Sequence, residues 1–128
     1  MSARTAQFLI AAVFLMLGGW CLFAPISVIE LAFTEAYRDT GFINRFTIAC
    51  FGAQAVLFGI MALATRWNAR AFLVFAVLLL PFFGFNYWFH YKVPVLTSIG
   101  MLDFAGNVTM FALAVIGWRA AHKVEAQA

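Results

Sequence analysis

Two side chains in this sequence pair proton-transfer chemistry with apolar surroundings: Asp103, in Met101-Leu102-Asp103-Phe104, and His90, in Trp88-Phe89-His90-Tyr91. A carboxylate and an imidazole within reach of one another form an acid/base pair, so His90 and Asp103 are the catalytic candidates. Arg45, Gln54, Asn86 and Asn107 add polarity to otherwise apolar stretches. Asn107 follows Asp103 by four residues and Asn86 precedes His90 by four, spacings that put each pair on one helix face. An ionised Asp at the centre of a membrane helix costs about 2.5–3.5 kcal/mol and needs a partner. Arg45 is the expected partner, with His90 and Lys92 next. Arg45, Gln54, Asn86, His90, Asp103 and Asn107 therefore form a predicted polar cluster in one half of a membrane. It has two readings, a ligand-binding site or a structural ion pair pinning two helices together.

Other chemistry is excluded by pattern. One His in the apolar stretches, with no His-x-x-x-His or Glu-x-x-His, falls short of a metal ligand set, so no metal is predicted. No cofactor is predicted either, because no glycine-rich phosphate loop, nucleophile elbow or haem-attachment motif occurs. Cys21 and Cys50 are the two cysteines and form no Cys-x-x-Cys; they read as small apolar residues, with a disulfide between them as the minority reading. The pI of 9.2 comes without the Lys/Arg cluster that neutralises successive phosphates, which argues against nucleic acid as a partner.

The elements that must position these residues follow from composition. Of 128 residues, 66% are apolar and 10% charged, far from the roughly 25% charged of a soluble domain. This is an integral membrane chain with a single domain. Apolar runs of helical length cover residues 8–24, 42–64, 71–89 and 97–118, which predicts an all-α bundle of four membrane-spanning helices. The first run lacks a small-x-small boundary and is expected to be retained rather than cleaved as a signal peptide. Pro25 ends it. Residues 26–37 then place Ile26, Ile29, Phe33 and Tyr37 in steps of three and four. That segment is either an amphipathic helix on the membrane surface or a helix covering the bundle mouth. Pro81 predicts a kink in the third span, and Tyr87, Trp88 and Tyr91 read as an aromatic belt at its end.

The connection Arg66-Trp67-Asn68-Ala69-Arg70 is short and makes spans two and three antiparallel. Arg4, Arg66, Arg70, Arg119 and Lys123 then share one side, five positive charges against the three of Arg38, Arg45 and Lys92. The positive-inside rule puts both termini in the cytoplasm. Within span two, Gly52, Ala55, Gly59 and Ala62 lie along one stripe where another helix can approach closely; that helix belongs to this chain or to a second copy. Helix packing is the favoured reading and a ligand cleft the alternative.

A glycine-containing first span ending in Ala24-Pro25, an outer segment, then Asn44-Arg45 leading into a Gly/Ala-rich second span and two more spans resembles the small bacterial DoxX-like four-helix membrane proteins. Four-span sterol-pathway scaffolds share the size and layout. The DoxX-like resemblance implies an accessory subunit of the bacterial inner membrane, near quinone-linked or oxidative-stress redox systems. The expected function is a non-enzymatic accessory or scaffold protein whose partner is a membrane lipid or lipophilic small molecule, another membrane protein, or a second copy of itself. The alternative is a small membrane enzyme that moves a proton on a quinone, sterol or isoprenoid through His90 or Asp103, with Arg45 holding charge.

Overall fold

The computed structural model describes residues 1–127 and is all-α: α1 (Ala3–Phe23), α2 (Pro25–Ala32), α3 (Phe42–Ala64), α4 (Ala69–Tyr87) and α5 (Leu102–Glu125). A short 3-10 turn, Glu35–Tyr37, precedes α3, and a π turn, Trp88–Lys92, prolongs α4. Four of these elements, α1, α3, α4 with its π turn, and α5, are long and apolar enough to cross a membrane. Local chemistry sets their ends. The Ser2 hydroxyl caps α1 by accepting from the Thr5 N–H, and the Asn68 side chain caps α4 by accepting from Ala71 N–H at 2.8 Å. Pro25 occupies the first turn of α2, where its missing N–H costs nothing. α4 runs unbroken through Pro81.

The helices are arranged in the order α3, α1, α5, α4, each packed on the next. Ile10 of α1, Phe72 of α4 and Ala114 of α5 are fully buried at the centre. The α1–α3 seam is closed by the small-residue stripe, so the stripe's partner is α1 of the same chain. A Cβ on Gly18 would stand 2.7 Å from that of Ala55, and one on Gly52 would run into the backbone of Gly18, Cys21 and Leu22. Only glycine permits that approach. Gly59 faces Leu15 and Ala11 in the same way, while Ala62 is buried one turn further on.

Both termini and the α3–α4 connection share one end, the terminal end. There Arg4 donates to the carbonyls of Leu63 and Thr65, and the Glu125 carboxylate accepts from Ala69 N–H at 2.9 Å. The opposite end is covered by α2 and residues 93–101, which bond to one another: Thr34 N–H to the Val95 carbonyl at 2.8 Å, Thr97 N–H to that of Ala32 at 2.9 Å. Residues 26–37 are not one continuous helix: α2 spans Pro25–Ala32 and covers the bundle mouth with Val28, Ile29 and Ala32 buried, and Glu35–Tyr37 is a separate 3-10 turn. The last helix covers Leu102–Glu125 rather than 97–118, and the same bonds explain its later start. The Thr97 hydroxyl bonds to the Leu31 carbonyl and its backbone to Ala32, holding Thr97 to Met101 in a turn against α2. Asp103 thus sits in the first turn of α5, not deep within it.

Candidate functional site

α3 and α4 are consecutive, yet their backbones do not pack side by side. Between them runs a groove of about 720 Å³, with walls that include Phe51 and Phe58 of α3 and Val74, Phe75, Leu78 and Phe82 of α4. A second cavity of about 440 Å³ lies under the α2 cap and shares Phe51, Phe82 and Asp103 with the first. Toward the terminal end the groove is lined by a cluster of rings: Phe14 to Phe58 at 4.7 Å, Trp67 to Phe75 at 5.2 Å and Phe58 to Phe75 at 5.9 Å between centroids. Phe51 and Val74 are exposed along its rim, and Leu78 is 63% exposed. In a bilayer those residues face acyl chains, so the groove opens sideways to lipid.

Polar groups enter the groove at three levels. Asn68 and Arg70 mark the terminal end, Gln54 stands midway on α3, and Asp103 and Asn107 lie toward the capped end. Asp103 Oδ2 accepts from Asn86 Nδ2 at 2.9 Å and from Asn107 Nδ2 at 3.0 Å. Asn86 is completely buried and Asn107 is 4% exposed. Asn86 Nδ2 also donates to the Phe82 carbonyl at 2.9 Å. Both partners of that nitrogen are acceptors, which fixes the orientation of the amide and leaves Asn86 Oδ1 buried with no donor. This triad joins α4 to α5. Its carboxylate also benefits from the positive end of the α5 dipole.

The expected cluster is thereby divided. Asn86, Asp103 and Asn107 come together, and Gln54 borders the same groove. Arg45 is elsewhere: it borders a separate cavity of about 770 Å³ with Phe23, Pro25, Ser27 and Phe42, and its buried Nε has no hydrogen-bond partner. Arg45 and Gln54 are nine residues apart on α3, about half a turn around the helix, so both cannot face the groove. The expected Arg45–Asp103 pairing is replaced by two amides. His90 is also elsewhere, donating from Nδ1 to the Leu96 carbonyl at 3.1 Å. The helix widens to a π turn at Trp88, so the four-residue spacing no longer stacks His90 over Asn86. Cys21 borders the cavity under the cap, Cys50 is exposed, and both are free thiols.

One buried polar residue escaped the sequence reading. Gln7 is 1% exposed; its Nε2 donates to the carbonyls of Ala62 at 2.5 Å and Thr65 at 3.0 Å, and its Oε1 accepts from Trp67 N–H at 3.1 Å. It satisfies the last carbonyls of α3, which no further helical turn can reach. Gln7 lies just before the apolar run that begins at Phe8, close to Arg4 and Thr5, so its sequence surroundings do not mark it as buried.

No family model, curated protein or solved structure matches this chain.

Proposed function

We propose that this protein is a non-enzymatic accessory protein of a membrane that holds a lipid-like molecule between α3 and α4. The observation that carries the reading is the groove itself: about 720 Å³, walled by aromatic and aliphatic side chains, open on the lipid-facing side, with Asp103 and Asn107 toward one end. Pockets of this size lined by apolar groups with few placed polar ones are typical ligand sites. From Asn68 to Phe82 the α4 wall extends about 21 Å at 1.5 Å per residue, the scale of one acyl or isoprenoid chain lying along the helix. An accessory role in the bacterial inner membrane is what the DoxX-like resemblance implies, and the excess of Arg and Lys at the terminal end favours termini in the cytoplasm.

The acid/base alternative draws less support. It asks His90 or Asp103 to move a proton while Arg45 holds charge, and Arg45 borders a different cavity while His90 is engaged with the Leu96 carbonyl. Binding asks only for the groove and its polar end.

Native mass spectrometry of protein released from mild non-ionic detergent tests the reading. Wild type is expected to retain one lipid-sized adduct. Leu78→Trp, which places an indole in the groove from an exposed rim position, is expected to lose it while staying folded. Equal occupancy in the two proteins, or none in wild type, defeats the proposal.

A further inference from the structure

The polar end of the groove is short of donors. Among the described residues, both hydrogen bonds to Asp103 arrive at Oδ2, leaving Oδ1 without a partner. Asn86 Oδ1, which is buried, is a second acceptor with none. Asp103 also borders both apolar cavities, so either one gives access to this residue. The expected counter-charges stand elsewhere: Arg45 borders the cavity near Pro25, His90 bonds to the Leu96 carbonyl, and Lys92 is exposed. Arg70 borders the groove too, but sixteen residues of α4 separate it from Asn86, about 24 Å along the helix. An intramembrane carboxylate ordinarily pairs with a cation or a donor, and here the protein provides two amides on one oxygen and no cation.

Resting on the groove reading, we infer that the occupant is a lipophilic amine or ammonium amphiphile, its cationic head on Asp103 and its chain along the aromatic wall. A protonated amine donates to Oδ1 and neutralises the charge in one contact, and a charge-assisted hydrogen bond is roughly twice as strong as a neutral one. A hydroxyl donates without neutralising. A carboxylate or phosphate head is repelled. The complementarity thus ranks amine above alcohol above acid for one and the same chain.

The experiment uses three probes of equal length, dodecylamine, dodecanol and dodecanoic acid. They are added separately at neutral pH to the full-length protein in a non-ionic detergent, and adducts are counted by native mass spectrometry. The amine is expected to bind roughly ten- to a hundredfold more tightly than the alcohol, the range of a hydrogen bond to a charged group, and the acid more weakly than both. Asp103→Asn is expected to abolish the ranking while the chains still bind. The wild-type ranking stands as a test by itself if that variant does not fold. Binding of all three without preference, preference for the acid, or a preference kept in Asp103→Asn overturns the amine assignment and leaves the groove reading standing. Absence of any adduct overturns both.

Discussion

α3 has two contrasting flanks. Toward α1 it presents Gly52, Ala55, Gly59 and Ala62, and the two backbones close until no Cβ fits at Gly18 or Gly52. Toward α4 it presents Phe51, Gln54 and Phe58, and the helices stand apart around a groove. The polar groups divide the same way. Gln7, at the terminal end of the closed seam, has both side-chain atoms bonded, whereas Asn86, on the open side, leaves its Oδ1 bare. Small residues bring helices together in lipid because van der Waals packing drives association there. Large aromatic residues on facing walls hold them apart and leave a volume for something else to fill.

The contrast can be broken hardest at Gly52. Gly52→Val puts side-chain atoms onto the backbone of α1, which cannot yield as a flexible side chain would; a loss of about 3 kcal/mol or more is expected, at the upper end of overpacking costs. It should be read as a fall in thermal unfolding temperature in detergent. Gln7→Ala comes next. It strips the Ala62 carbonyl and the Trp67 N–H of their partner, while the Thr65 carbonyl keeps Arg4, with a cost of about 1–3 kcal/mol for unsatisfied buried groups that the same melting measurement reports.

Two double-mutant cycles sharpen the division within the polar cluster. Asn86→Ala with Asp103→Asn should give a coupling of about 1–2 kcal/mol, as for the stronger interhelical hydrogen bonds in membranes. Arg45→Gln with Asp103→Asn should be additive within roughly 0.5 kcal/mol, as for sites without shared partners. A large Arg45–Asp103 coupling would restore the ion pair and remove the unbalanced carboxylate on which the amine assignment depends. The smallest effect is expected at Gly84, in α4, where an added Cβ meets nothing within 4 Å. Gly84→Ala should stabilise by about 0.5–1 kcal/mol through helix propensity alone, the opposite sign to the change at Gly52.

What the sequence determined by itself is whatever one helix expresses alone. Apolar runs of membrane length, the break at Ala24-Pro25 and the short connection around Trp67 announced four antiparallel spans, because hydropathy and chain breaks are local properties. The small-residue stripe was legible as a packing face for the same reason. Its partner, α1, was not, since a stripe states only that some backbone comes near. Asp103, Asn86 and Asn107 were legible as polar groups out of place. Their association, and the absence of Arg45 and His90 from it, was decided by tertiary structure. In a membrane every face of a spanning helix is apolar, so polarity does not mark the inward face as it does on a soluble helix. The rotation of α3 that turns Arg45 away from the groove, the π turn that redirects His90, and the bonds of Thr97 to α2 that hold Asp103 in the first turn of α5 depend on contacts between elements far apart in the chain. The groove is the clearest case, because an unfilled volume between two helices belongs to neither of their sequences.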